Sequence, residues 1–155
     1  ITSLRINAFT RPDASATPGF SGLDAASKGL LSQLSAEFNT ALLSGLAGTA
    51  TQSIDMRALF ADVVANKSKY GFTDVTSTAC DAAKIALITG GRVNDGSSLF
   101  CNATAGQLFN GLRGSASATT WAFADGIHPT TGGHKALADT AIAKIKEFGW
   151  MPANQ

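Results

Sequence analysis

The sequence predicts an α/β fold. Short apolar stretches with β character recur along the chain, and two long segments between and after them carry apolar residues at helical spacing. Strands alternating with amphipathic helices argue for a parallel sheet covered by helices. The length of 155 residues is one domain's worth of chain, enough to bury a real core. No internal repeat and no linker divides residues 1–155, so a single domain is expected.

The elements follow in order. Residues 4–9 (LRINAF) read as a short buried strand. Residues 10–22 are a loop, punctuated by Pro12, Pro18, Gly19 and Gly22. From 24 to about 46 the period becomes helical, with Leu30, Leu31, Leu34, Phe38, Ala41 and Leu42 on the expected inward face and a cap at Ser21 or Asp24. Residues 52–56 read as a short strand. Residues 56–64 read as a helix with Leu59, Phe60, Val63 and Val64 inward. Residues 66–78 are turn-rich, 81–88 fit a helix or a strand equally, and 90–98 are a polar loop. Residues 121–124 read as a buried strand. The last helix runs from about 133 to 148, its apolar face formed by Leu137, Ala138, Ala141, Ile142, Ile145 and Phe148.

Composition narrows the function classes. Hydrophobic residues make up 45% and charged residues 15%, which excludes a disordered, solvating tail. Lys plus Arg is 12 and Asp plus Glu is 11, with no basic stripe or acidic block. That argues against nucleic acid or a charged membrane surface as the main partner. The longest apolar runs, such as 85–88, are far too short to span a bilayer. The chain starts at Ile1 without a charged segment leading into an apolar one, as expected of a chain processed, nicked or truncated at its start.

Two cysteines, Cys80 and Cys101, fit one disulfide closing a loop of moderate length. The alternative is a pair of buried thiols. Few charges and a polar Ser/Thr/Gly loop between the cysteines favour the disulfide, and with it an oxidising compartment: periplasm, cell surface or extracellular space. Count and spacing exclude a CxxC redox motif and a zinc set.

The segment WAFADGIHPTTGGH, residues 121–134, carries the chemistry. It sets Asp125 and His128 three residues apart, between a predicted strand and a predicted helix. A carboxylate so placed can bond the imidazole, fix its tautomer and stabilise the imidazolium that forms when it takes a proton. Pro129 restricts His128 to extended backbone, and Gly126 lets the turn close. The plain alternative is that Asp125 caps a turn beside an incidental histidine. His134 is a further polar residue: a metal set with Asp125 and His128 lacks the HExxH spacing, and a structural role is the simpler reading. Trp121, Phe123, Phe100, Phe109 and Leu112 are either core or the lining of an acyl pocket, and the same holds for Phe9, Phe20 and Phe72.

DGIHPT resembles the last block of the SGNH, or GDSL, serine hydrolases. NAFTRPDASATP at 7–18, DMRALFADVVANKSKYG at 55–71, Cys80 and Cys101-Asn102 are similar to the pattern of secreted bacterial esterases and esterase autotransporter passenger domains of that family. The resemblance implies the C-terminal part of a three-layer α/β/α sandwich with a parallel sheet. It also implies ester or lipid hydrolysis without a cofactor, with His128 as general base and then acid and Asp125 orienting it. His134 takes a supporting role in that pattern. The family's Gly-Asp-Ser block is absent here, and Gly91-Arg92-Val93-Asn94-Asp95 is one residue too long for its oxyanion block. Asn94-Asp95-Gly96 reads instead as a surface turn. The catalytic serine and the oxyanion-hole Gly and Asn are therefore expected on an N-terminal partner segment or chain. Two rival readings are a non-catalytic secreted binding domain of the same fold, and a metal-dependent hydrolase using Asp125, His128 and His134.

Overall fold

The computed structural model describes residues 8–104, 106 and 108–150. Among these, four α-helices surround two small parallel strand pairs, a mixed α/β arrangement. Strand β1 (Ala8–Phe9) pairs with β2 (Ser53–Ile54), and β3 (Asp74–Thr78) pairs with β4 (Trp121–Phe123). The strand expected at 4–9 is seen only as β1, because residues 4–7 lie outside the described part of the chain. The helices are α1 (Ala25–Leu46), α2 (Met56–Ala65), α3 (Ala82–Ile88) and α4 (Thr131–Glu147). None of them is long and apolar enough to cross a membrane.

The strand β3 lies inside the stretch read as turn-rich. Its turn character is local: a 3-10 turn at Lys67–Tyr70 ends on Gly71, whose φ of 77° suits glycine, and the strand follows. Asp74 also disguises it, taking the amides of Thr76 and Ser77 as a turn residue does. The ambiguous segment 81–88 folds as a helix because Asp81 caps the amides of Ala83 and Lys84.

The core gathers Ile54, Met56, Leu59, Val63, Phe72, Val75, Ala122 and Phe123, with Phe60, Tyr70, Leu137 and Ala141 packed against it. Two helices, α2 and α4, thus cover β3 and β4. The inward face expected for α2 holds at Leu59, Phe60 and Val63, while Val64 is 43% exposed. On α4 the buried side is turned slightly from the expected one. Gly133, Ala136, Leu137 and Ala141 face in, and Ala138 and Ile142 face out. Gly133 explains this: a Cβ there would meet the Ala122 carbonyl and Pro129 at 2.6 Å, so its absence lets the helix start sit directly on β4.

Helix α1 departs most from expectation. Its buried residues are Ser35 and Asn39, whereas Leu30, Leu34 and Phe38 are about half exposed. What α1 covers is the loop after β1, not the apolar core, so it meets that loop with polar groups. The Asn39 side chain accepts the Arg11 N–H at 2.6 Å and donates to the Arg11 carbonyl at 2.8 Å. Ser35 accepts the Ala14 N–H, and Arg57 on α2 reaches Asp13 and Ser32. A loop buried under a helix must have its backbone groups bonded, and side chains of α1 do that here.

Candidate active site

The site is built on a chain reversal after β4. Ala124 donates to the His128 carbonyl at 2.8 Å, and Thr130 donates back to Ala122 at 3.0 Å. Phe123 and Pro129 thus face each other as an antiparallel bridge, and residues 125–128 form the turn between. Thr130 bonds the Trp121 carbonyl and caps α4 through the Gly133 amide. Strand, turn and helix are therefore locked into one unit.

Asp125 is only 7% exposed, and both its oxygens are occupied. Oδ1 accepts the amides of Ile127 and His128 at 2.9 and 2.8 Å. Oδ2 accepts the Ser98 amide at 2.9 Å. The His128 Nδ1 lies 3.0 and 2.9 Å from the two oxygens. Burial pushes this carboxyl up, but bonds from the His128 amide, Ser98 and the Ile127 amide outweigh it and hold the group well below the usual carboxylate range. Asp125 is thus a carboxylate at neutral pH. A carboxylate against Nδ1 places the neutral ring's proton there and leaves Nε2 as the basic nitrogen. The His128 side chain is 68% exposed, and no bond to its Nε2 occurs among the described residues.

The turn borders an open cleft lined by Gly19, Phe20, Asp95, Ser97, Asp125, Gly126, Ile127 and His128. The loop after β1 reaches it through Gly19, whose N–H donates to the Gly126 carbonyl at 2.8 Å. Gly126 matters for a different reason from the one its sequence context suggests. Its φ is not in the left-handed region, but a Cβ on it would meet the Gly19 Cα at 2.9 Å. Glycine is required on both sides of this contact.

No protein-family model and no curated protein matches the chain.

The structure brings Asp125 and His128 together and joins Cys80 to Cys101. It does not bring in His134, which lines a separate crevice with Ser98, Cys101 and Thr130. Among the described residues no three His, Cys, Asp or Glu side chains gather as a metal set, so Asp125, His128 and His134 do not form one. None of Trp121, Phe123, Phe100, Phe109 and Leu112 lines the cleft. Phe123 is core, and Phe100 stacks edge-on against Phe109 at 5.5 Å. The site residues missed in the sequence are Ser98, Gly19, Asp95 and Ser97, while Phe20, one of the aromatic residues weighed as core or pocket lining, does line the cleft. A backbone amide donor such as Ser98 carries no sequence signal. Asn94 and Asp95 are exposed as a surface turn should be, though Asp95 also faces the cleft.

Proposed function

We propose that this chain supplies the acid–base half of a serine-type hydrolase acting on carboxylic esters, and that it belongs with the SGNH hydrolases. The observation that carries the reading is the Asp125–His128 pair beside an open cleft, with Nδ1 tied to the carboxylate and Nε2 unbonded among the described residues. In such a pair Nε2 takes the proton of an attacking hydroxyl, and the resulting imidazolium then protonates the leaving alcohol. Asp125 stays ionised throughout and stabilises the imidazolium.

The nucleophile is the remaining requirement. Among the described residues no serine hydroxyl bonds the His128 ring. We assign the serine, with the oxyanion-hole Gly and Asn, to an N-terminal partner segment that completes a three-layer sandwich. The exposed row Leu30, Leu34 and Phe38 on α1 supports this, because it offers such a segment an apolar face. The Cys80–Cys101 disulfide supports an extracytoplasmic setting, and an ester or lipid is the substrate class.

A second reading has its own support. Asp125 also caps the turn through the Ile127 and His128 amides, which a binding domain without catalysis would equally need. The experiment that separates the two is fluorophosphonate labelling of the intact assembly, followed by native mass measurement. Stoichiometric labelling of a serine on a co-purifying segment supports the hydrolase. An unlabelled, monomeric chain refutes it.

A further inference from the structure

We propose that Ser98 is a positioning residue for Asp125, and that the Cys80–Cys101 disulfide is the brace that holds it there. This rests on the acid–base reading of Asp125 and His128. Two segments remote in sequence meet at the Asp125 carboxylate. One is its own turn. The other is the 3-10 turn Ser98–Phe100, whose first N–H donates to Oδ2.

The brace closes a circuit. Three residues after Ser98, Cys101 is bonded to Cys80, with their Cα atoms 5.8 Å apart. Cys80 is 2% exposed and follows β3, and its N–H donates to the Ala124 carbonyl at 2.8 Å. Ala124 directly precedes Asp125. The path therefore runs from Asp125 through Ser98, Cys101, Cys80 and Ala124 back to Asp125. Besides the disulfide, the Ser98 side is tied by the Asn102 N–H to the Phe109 carbonyl at 2.6 Å and by Phe100 against Phe109, whereas Leu99 is 86% exposed and 102–104 are exposed.

The division of bonds gives Ser98 its role. The amides of Ile127 and His128 hold Oδ1 alone. Apart from the His128 ring, Oδ2 has only the Ser98 amide among the described backbone donors. A carboxylate held at one oxygen can still rotate, and the second bond stops it. With both oxygens fixed, the carboxylate presents a constant edge to Nδ1.

The geometry also supplies a variant without the donor. Ser98 opens its 3-10 turn, a position that tolerates proline, and Ser97 has φ −51° and ψ 130°, which suits the residue before a proline. Ser98→Pro therefore deletes the donor N–H together with the hydroxyl, sets the ring Cδ where the hydrogen faced Oδ2, and leaves the disulfide intact. Ser98→Ala deletes only the hydroxyl.

The experiment is a carbon-detected NMR titration of the Asp125 carboxyl in this chain and its variants. The titratable groups around it are His128 on its own turn, Asp95 on the cleft, and His134 on the crevice behind Ser98. Ser98→Pro raises the Asp125 midpoint by about one pH unit, and Ser98→Ala raises it less. The paired substitution Cys80→Ala with Cys101→Ala gives the same rise and speeds exchange of the Ser98 amide. The amides of 79 and 80, bonded to Phe123 and Ala124, stay protected. An unmoved midpoint in Ser98→Pro overturns the proposal. So does an unchanged Ser98 amide in folded, disulfide-free protein. Should that protein not fold, Ser98→Pro decides alone. None of these readings needs turnover, so fluorophosphonate labelling tests the hydrolase reading separately.

Discussion

The Asp125 carboxylate grips His128 twice, once by the backbone N–H at 2.8 Å and once by the ring Nδ1 at 2.9 Å. One acid thereby fixes both where the histidine sits and which way its ring faces. The first bond is a turn cap and the second is the orienting contact of the proposed acid–base pair, so the two roles of Asp125 separate on substitution.

On the proposed hydrolase reading, His128→Ala should abolish ester hydrolysis in the intact assembly while leaving the melting temperature unchanged, because the ring is mostly solvent-exposed. Asp125→Asn retains at least tenfold more activity than His128→Ala, since the acid orients and stabilises but moves no proton. It is the less stable variant, however. An amide nitrogen turned toward Ser98 or His128 Nδ1 sets donor against donor, at a cost of about 1–3 kcal/mol. Aryl-ester turnover and urea denaturation of both variants check this. Wild-type turnover in His128→Ala would end the hydrolase reading.

Stability is expected to fall in acid. For Asp125, Asp13 and Asp74, burial raises the carboxyl, but hydrogen bonds outweigh it and hold each below its ordinary value. Their bonds come from His128 and Ser98, from Ser32 and Ser15, and from Ser77 and Thr76 respectively. Each folded-state pKa lies below the unfolded one. Each contribution is therefore present above the unfolded value of about 4 and is lost as pH falls through the folded value. Urea midpoints measured from pH 7 down to 3 should hold until about pH 5 and then drop. In Asp125→Asn the drop should be shallower.

Gly126→Ala tests the contact between the two loops of the cleft. Its Cβ would stand 2.9 Å from the Gly19 Cα, and backbone on both sides has no slack to give. The variant should lose about 1–3 kcal/mol and loosen the Gly19 N–H bond to residue 126. Denaturation midpoints and the Gly19 amide exchange rate measure both effects. Gly22→Ala, where an added Cβ meets nothing within 4 Å, is the control.

These cases mark what could be read from sequence. The Asp125–His128 pair was legible because both partners lie in one turn, where spacing alone dictates contact. The helices α1, α2 and α4 were legible from periodicity, since 3.6-residue repeats are local. Which side of α1 faces inward was not, because that depends on what it packs against. Leu30, Leu34 and Phe38 imply an apolar neighbour, yet the described neighbour is the loop at 11–14, which needs hydrogen bonds from Ser35 and Asn39. Strand β3 was hidden by its own Asp74 turn. Ser98 was invisible because it acts through a backbone amide that every residue but proline possesses.

The disulfide carries part of the stability. Its partners are 21 residues apart, so closing that loop in the unfolded chain stabilises the fold by about 3 kcal/mol on the chain-entropy account. Alkylation without reductant should leave both cysteines unmodified in the mass spectrum. Replacing both by Ala should lower the urea midpoint, with the loss arising mainly from the greater freedom of the unfolded chain.

The exposed row on α1 bears on the proposed N-terminal segment. Leu30 is 57%, Leu34 51% and Phe38 47% exposed, and they lie one turn apart on one side of the helix. The Arg11 guanidinium lies 5.2 Å from the Phe38 ring centre. Substituting Leu34→Glu should change the stability of this chain by less than about 0.5 kcal/mol, because Leu34 is half exposed and stands outside the core cluster. If an N-terminal segment docks there, the same change places a charge in an apolar interface and weakens association at least tenfold. The buried side of α1 supplies the contrast: Asn39→Leu strips the Arg11 backbone of two bonds and should destabilise the chain itself by about 1–3 kcal/mol. Equal loss of stability in both variants would mean that Leu34 is already covered within this chain, and the row would no longer mark a docking face.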